Sequence, residues 1–223
     1  MHHLHFSAGH SRATYEQLDE AIDNGLKGIT HIYNGMPPMH HRNPGLLVGG
    51  LLRDELYAEA IADGVHVHPA NLRLLMKVKG TDGVVLVTDA IRAACMPEGI
   101  YRFSGRDVTV RSNQARLADA PQTLAGSTLT MDQAIRTMVQ ETDVTLEQAA
   151  QMASLNPARV LSWQNRRGVL AIGRDADVVV LNRELEVVLT IKAGQILYQS
   201  PEVREMDGPL FCKGDRLVLQ AAS

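Results

Sequence analysis

Residues 4–34 read LHFSAGHSRATYEQLDEAIDNGLKGITHIYN and contain two candidate strands on either side of one candidate helix. Thr14 and Gln17 have capping-box spacing, which predicts a helix start because the two residues satisfy each other's free backbone amides. Apolar residues then recur at helical spacing up to a glycine. His10 and His31 each follow a candidate strand, so the segment predicts a βαβ unit. Both histidines are expected at the carboxyl ends of neighbouring parallel strands.

The same alternation continues along the next fifty residues. Further strands are predicted within residues 57–67 and at 84–87, and helices over 45–53 and 69–79. The run at 84–87 is entirely apolar, as is typical of a parallel strand covered on both faces. The pattern indicates an α/β fold that contains part of a (β/α)8 barrel of the TIM type. Active sites of such barrels lie at the carboxyl ends of the strands.

A different pattern of secondary structure is predicted for the rest of the chain. Residues 92–121 read as a long excursion with a β-hairpin, in which Leu117 could mark one more barrel strand. Capping boxes that begin at Thr130 and Thr145 predict two more helices. Four short strands follow, the first at residues 168–173. The predicted division is a partial barrel over 1–167, a small β-sandwich-like appendage over 168–199, and a tail over 200–223 without a structural assignment.

Composition excludes several classes of protein. The 223 residues carry a formal net charge of −3 and only 4% aromatic residues, which argues against a nucleic-acid partner. No apolar run approaches the length of about 18 residues that a membrane helix needs, so no membrane partner is expected. The two cysteines, Cys95 and Cys212, have no paired spacing, which predicts a reducing, cytoplasmic location.

Histidine is concentrated in the first third of the chain, since all nine histidines lie at or before residue 68. The loop after His31 contains Pro37 and Pro38, which stiffen it, and it ends with two more histidines and Arg42. An imidazole beside a rigid cationic loop suits a metal ion next to an anion. The alternative is a solvated basic loop with one hydrogen-bonded histidine at a strand end, and the loop alone leaves both readings open.

Other polar residues also follow predicted strands. Asp89 comes after the apolar run and has the right type and location for a general base. A helix cap or an ion-paired loop aspartate is the alternative for Asp89. His66 could face a substrate, or it could be a hydrogen-bonded structural histidine. His10 and His31 could share a metal, although a catalytic zinc usually has three protein ligands and a water.

Several short motifs resemble, in order, those of the N-acetylglucosamine-6-phosphate deacetylases of the amidohydrolase superfamily. The motifs are GHS at 9–11, THIYN at 30–34, DGVHVHP at 63–69, LVTDA at 86–90, LAGS at 124–127 and NPA at 156–158. The resemblance implies metal-dependent hydrolysis of the acetamide of N-acetylglucosamine 6-phosphate to glucosamine 6-phosphate and acetate. It also implies a divalent metal, with zinc preferred and iron, manganese or cobalt as alternatives.

The resemblance implies residue roles as well. His10 and His31 match the metal-binding histidines, and Asp89 matches the catalytic acid and base. His66 matches the histidine that holds the acetyl carbonyl. Arg42 matches an arginine that reaches the substrate phosphate of the neighbouring subunit in a homodimer. The implied substrate contacts are Asn34, Gly35, Arg42, Asp63, Gly64, Val65, His66, Leu124, Ala125 and Gly126.

The sequence also departs from that family. Its members extend further at the N-terminus, where they carry further barrel strands and a metal-binding glutamate. The expectation is therefore the C-terminal part of a deacetylase with impaired activity. One alternative is a non-catalytic remnant that binds metal or sugar phosphate. Another is a different amidohydrolase that deacylates an N-acyl compound.

Overall fold

The computed structural model describes residues 4–205 of the chain. The chain divides into two compact units, residues 1–169 and residues 170–223. The predicted division into residues 1–167, 168–199 and 200–223 stays a prediction. Most of the predicted tail, residues 206–223, lies outside the described residues.

A parallel sheet of four strands forms the centre of the first unit. Its strands pair in sequence order and are β1 (Phe6–Ala8), β2 (Leu26–Ile29), β3 (Tyr57–Ala60) and β4 (Val84–Leu86). The connecting helices are α1 (Tyr15–Asp23), α2 (Gly45–Leu52) and α3 (Pro69–Lys79). Each strand is followed by a helix before its parallel neighbour, so the predicted partial (β/α) barrel is confirmed.

Local sequence accounts for where these helices begin. Thr14 Oγ1 accepts a hydrogen bond from the Gln17 amide at 3.2 Å, and Gln17 Oε1 accepts one from the Thr14 amide at 2.9 Å. The predicted capping box of α1 is therefore confirmed. Helix α3 begins at Pro69, as predicted, and the side chain of His68 accepts a hydrogen bond from the Ala70 amide at 3.1 Å. This contact uses His68 as a helix cap.

The core of the first unit depends on close approach of α2. Helix α2 reads GLLVGGLL and is apolar on all sides, with five of its residues buried. A Cβ atom added to Gly49 would lie 2.3 Å from Leu18 Cδ2, and one added to Gly50 would lie 2.8 Å from Ile29 Cγ1. The two glycines therefore let α2 pack directly against α1 and β2.

The predicted excursion contains more than a hairpin. Four antiparallel strands follow one another in sequence order, namely β5 (Gly99–Phe103), β6 (Arg106–Arg111), β7 (Gln114–Leu117) and β8 (Ala120–Leu124). Leu117 ends β7, so the idea that it marks a barrel strand is wrong. The side chains of Val108, Val110 and Ala115 form part of a second, smaller core under this sheet.

Three helices complete the first unit, namely α4 (Met131–Glu141), α5 (Leu146–Ala153) and α6 (Leu155–Val160). The capping box at Thr145 and Gln148 is present. Thr130 caps α4 without any side-chain hydrogen bond, so the capping box predicted there is wrong. Helix α6 packs against β4 through Asn156, whose Nδ2 donates to the carbonyls of Thr81 and Val84, at 2.7 Å in each case.

The second unit contains a three-stranded antiparallel sheet and a short helix. The strands are β9 (Val178–Leu181), β10 (Val187–Lys192) and β11 (Gln195–Gln199), with β10 in the middle, and α7 (Pro201–Glu205) follows. The strand predicted at residues 168–173 is wrong. Gly168 and Gly173 have φ values of 94° and 82°, and the backbone between them turns. Within residues 4–205, none of the helices is long and apolar enough to cross a membrane.

Candidate active site

The predicted polar residues follow the carboxyl ends of the four parallel strands. His10 lies two residues after β1 and His31 two residues after β2. Asp63 and Asp89 each lie three residues after the last residue of β3 and β4. Because the strands are parallel and adjacent, these positions share one edge of the sheet. That edge is the candidate active site.

His10 and His31 lie next to each other. Their ring centroids are 4.8 Å apart, and the ring planes meet at 83°. His31 is 8% exposed, and its Nδ1 is buried without a hydrogen-bond partner. A buried imidazole nitrogen without a partner costs free energy, and a cation would relieve that cost.

These two imidazoles fit a divalent metal ion as part of its ligand set. Within residues 4–205, no group of three or more histidine, cysteine, aspartate or glutamate side chains has the arrangement of a metal site. The structure therefore supplies two suitable nitrogen donors. The role of His10 and His31 as metal ligands stays a prediction.

Three of the predicted site residues have strained backbones. The φ angles are 48° at His10, 32° at His31 and 48° at Asp89. Residues other than glycine seldom adopt positive φ, and such strain concentrates at functional sites. All three residues adopt this conformation two or three positions after the end of a parallel strand.

Asn34 and Gly35 continue the turn that follows His31. The Asn34 amide donates to the His31 carbonyl at 3.0 Å, and the Asn34 side chain donates to the Ile32 carbonyl at 3.3 Å. A Cβ atom at Gly35 would lie 2.7 Å from His10 Nδ1. The turn therefore brings the predicted substrate-binding pair against the His10 ring.

Asp63 and His66 form a closed hydrogen-bonded pair in the loop after β3. His66 Nδ1 lies 2.6 Å from Asp63 Oδ2, and the amides of Val65 and His66 donate to Asp63 Oδ1. Burial favours a higher pKa for Asp63, but the hydrogen bonds from His66 and the two amides outweigh it and lower that pKa. Gly64 supplies the turn with a φ of 71°.

Ser127 holds the backbone around Asp89. The Ser127 amide donates to the Asp89 carbonyl at 2.9 Å, and the Ser127 hydroxyl donates to the Thr88 carbonyl. The Ile91 amide donates back to the Ser127 carbonyl at 2.9 Å. Gly126 lies against the same turn, since a Cβ atom there would be 3.8 Å from Asp89 Oδ2. Of the predicted contact segment Leu124, Ala125 and Gly126, it is Gly126 that lies beside Asp89.

The other two residues of that segment have different surroundings. Leu124 ends β8, and Ala125 is buried in the core of the antiparallel sheet. The Ala125 amide donates to the Ala115 carbonyl at 2.9 Å. Their predicted substrate contact stays a prediction, and any such contact by Ala125 would use its backbone.

Glu59 is a site residue that the sequence did not suggest. It lies in β3, and its carboxylate interacts with the backbone amide and ring of His31 and with the charge of Asp89. Burial raises the pKa of Glu59, and the negative charge of Asp89 raises it further. The hydrogen bond from the His31 backbone and the charge interaction with the His31 ring lower that pKa. The alternation of Tyr57–Ala60, with Ala58 and Ala60 buried, was the available signal that Glu59 faces the opposite side.

Arg42 lies in the exposed loop that precedes α2 and is not brought against the histidine pair by any described contact. Its Nη1 lies 2.8 Å from His41 Nε2, and its amide donates to His40 Nδ1 at 3.3 Å. The Asn43 amide also donates to His40 Nδ1, at 3.2 Å. The described contacts of Arg42 thus come from its own loop, so the guanidinium is not part of the core.

Comparison with known proteins identifies the family. Residues 1–197 match the Amidohydrolase family. The chain belongs to the amidohydrolase family. Enzymes of this family generally depend on divalent metals, in agreement with the paired imidazoles.

Among similar amidohydrolases, the N-acetylglucosamine-6-phosphate deacetylase of Lysinibacillus sphaericus is 46% identical over 87% of this chain and 49% of the relative. The N-acetylgalactosamine-6-phosphate deacetylase of Escherichia coli O157:H7 is 44% identical over 84% of the chain and 49% of the relative. The chain thus spans about half the length of the curated relatives it matches.

A solved structure gives the same fold. The N-acetyl-D-glucosamine-6-phosphate deacetylase mutant of Mycobacterium smegmatis, in complex with N-acetyl-D-glucosamine-6-phosphate, superimposes with a TM-score of 0.82. The two sequences are 38% identical, and the match covers 86% of this amidohydrolase and 51% of the other chain. The parallel sheet of this chain is therefore part of an amidohydrolase barrel.

Proposed function

We propose that this amidohydrolase acts on N-acetylglucosamine 6-phosphate and hydrolyses its acetamide to glucosamine 6-phosphate and acetate. The observation that carries the proposal is the contact of two imidazoles at adjacent strand ends, one of them with a buried, unpaired nitrogen. The names of the relatives support an N-acetylated hexosamine 6-phosphate as the class of substrate.

His10 and His31 would hold the metal, and zinc is the ion we expect. When bound, a divalent cation polarises the acetamide carbonyl and makes water a better nucleophile at neutral pH. Asp89 would accept the proton of the attacking water and return it to the amine as the carbon–nitrogen bond breaks. His66 would donate a hydrogen bond to the carbonyl oxygen as negative charge develops there.

The loop with Arg42 would recognise the phosphate. A guanidinium binds phosphate through two parallel hydrogen bonds, and Arg42 is exposed and outside the core. Asn34, Gly35 and the Leu124, Ala125 and Gly126 segment would contact the sugar. We also propose a homodimer in which Arg42 reaches the neighbouring site, and a cytoplasmic location, which two cysteines without paired spacing in the sequence support.

A second candidate is binding without turnover. It is favoured by one observation, namely that residues 4–205 contain no group of three metal-binding side chains. Two imidazoles fix the position and geometry of a metal ion less firmly than three protein ligands do. Under this candidate, the chain would bind metal or sugar phosphate and release no acetate.

Acetate release by the purified chain with added zinc separates the two candidates. The substrates are N-acetylglucosamine 6-phosphate, its galactosamine isomer and N-acetylglucosamine without phosphate. We expect release from the phosphorylated sugars, abolished by Asp89→Asn and kept by Asp107→Asn, a change at an exposed ion pair. Saturable binding of the phosphorylated sugar without acetate would favour the second candidate.

Zinc titration by calorimetry tests the ligands. His10→Ala with His31→Ala should remove the binding, because both nitrogen donors are lost. His40→Ala is the matched control, since His40 lies in the exposed loop. Unchanged zinc stoichiometry and affinity in the double variant would contradict the assignment.

A further inference from the structure

The carboxylate of Asp63 is engaged within its own loop. Oδ1 accepts hydrogen bonds from the amides of Val65 at 2.8 Å and His66 at 2.7 Å, and Oδ2 lies 2.6 Å from His66 Nδ1. Only 11% of the Asp63 side chain and 7% of the His66 side chain are exposed. A carboxylate with both oxygens occupied and little exposure is poorly placed to contact a sugar directly.

The hydrogen-bond chemistry fixes the proton of His66. An ionised carboxylate can only accept hydrogen bonds, so Nδ1 at 2.6 Å from Oδ2 must be the donor. The lowered pKa of Asp63 supports the ionised form at neutral pH. The neutral ring then carries its proton on Nδ1 and leaves Nε2 as the nitrogen outside this contact.

We propose that Asp63 is a positioning residue that fixes the Nδ1–H tautomer of His66 and assigns Nε2 to the substrate. This inference rests on the proposed function, because only that function supplies a substrate at the strand ends. Asp63 therefore acts through His66 and does not itself bind the sugar.

The tautomer limits what His66 can do. In the neutral ring, Nε2 can only accept a hydrogen bond, for example from a sugar hydroxyl or the acetamide N–H, so the donation to the acetyl oxygen proposed above needs the charged ring. Donation to the acetyl oxygen requires a second proton on Nε2. That proton is taken up from solvent and forms an N–H bond at Nε2, and Asp63 then serves as the negative partner of the charged ring.

Nitrogen-15 spectra of the histidine rings test the tautomer. His66 is assigned from the signals that disappear in His66→Gln, and spectra are taken where the ring is neutral. We expect the Nδ1–H pattern in the unmodified chain. A dominant Nε2–H pattern would overturn the proposal.

Asp63→Asn gives a sharper test. The asparagine oxygen should stay with the two amides, which are both donors, and its NH2 group would then face His66 Nδ1. Nδ1 becomes the acceptor, so the proton should move to Nε2. Asp63→Ala, which offers no partner, should give a mixture of both tautomers. Asp107→Asn is the matched control and should leave the His66 signals unchanged. An unchanged Nδ1–H pattern in folded Asp63→Asn would also overturn the proposal.

The spectra need no substrate, which separates the two proposals. If no acetate is released but the spectra show Nδ1–H in the unmodified chain and Nε2–H in Asp63→Asn, the proposed function fails and the role of Asp63 in orienting His66 stands. If the chain is active, Asp63→Asn should lower kcat by about tenfold or more, because the variant loses the negative partner that stabilises a charged His66 ring as it donates to the acetyl oxygen. KM should change less than kcat, since Asp63 does not contact the sugar. A raised KM with unchanged kcat would instead indicate direct substrate binding by Asp63.

Discussion

The Ser127 amide donates a hydrogen bond to the Asp89 carbonyl at 2.9 Å, so a residue of the segment after β8 fixes the turn after β4. Asp89 has a φ of 48° there, and Ser127 is only 2% exposed. The same serine accepts from the Ile91 amide and, through its hydroxyl, donates to the Thr88 carbonyl. The predicted general base therefore depends on a residue 38 positions away along the chain.

Ser127→Ala should lower the free energy of unfolding by about 1–3 kcal/mol, because the half-buried Thr88 carbonyl and the buried Leu129 amide lose their hydroxyl partner. Urea unfolding measures the change. Ser104→Ala, at an exposed turn, is the control and should have much less effect. Equal losses in the two variants would show that the hydroxyl does not hold the turn.

Asp63 should make the free energy of unfolding decrease as the pH becomes acidic. Its pKa is lowered in the folded chain, so its stabilising contribution is full above the unfolded pKa of about 3.9 and is lost as pH falls towards the folded pKa. Urea unfolding between about pH 7 and about pH 2 should show a steeper acid loss in the unmodified chain than in Asp63→Asn. Asp107→Asn should keep the steep loss, and parallel curves for all three would contradict the prediction.

Arg42→Lys should weaken binding of N-acetylglucosamine 6-phosphate by on the order of tenfold, because an ammonium cannot bind phosphate through a planar fork. The melting temperature should hardly change, since Arg42 is exposed and contacts its own loop. Calorimetry and thermal unfolding measure the two effects. Arg102→Lys, at an exposed ion pair, is the control. A large loss of stability with intact sugar binding would assign Arg42 to the fold.

Asn156→Ala should cost about 2 kcal/mol or more of unfolding free energy, because it removes two donors from the carbonyls of Thr81 and Val84. Asn156→Asp should be more destabilising, since it also places a charge in a site that is 2% exposed. Denaturant titration compares both with Asn165→Ala, at an exposed position. An aspartate variant as stable as the original chain would rule out the donor role.

Local sequence was sufficient for much of the first unit. The start of α1 followed from Thr14 and Gln17, the start of α3 from Pro69, and strand β4 from the apolar run at 84–87. These features depend on interactions between residues a few positions apart, which a linear pattern records. The contact of His10 with His31 was also predictable, because one βαβ unit places two strand ends side by side.

Local sequence was misleading where long-range packing competes with it. Thr130 and Gln133 have capping-box spacing, yet the Thr130 side chain makes no cap hydrogen bond. The run at 168–173 is apolar, yet glycines with positive φ at both ends turn the backbone. Leu117 belongs to an antiparallel sheet whose partners the sequence pattern did not identify.

The sequence by itself determined the alternation of strands and helices over residues 4–90, the placement of histidines and Asp89 after strands, and the resemblance to amidohydrolases. Only the tertiary structure decided which groups surround those residues. Glu59 reaches His31, Ser127 supports Asp89, and Asp63 is closed onto His66. The physical reason is that hydrogen bonds and burial depend on the three-dimensional path of the backbone, including the positive φ values at His10, His31 and Asp89, and spacing along the chain does not record that path.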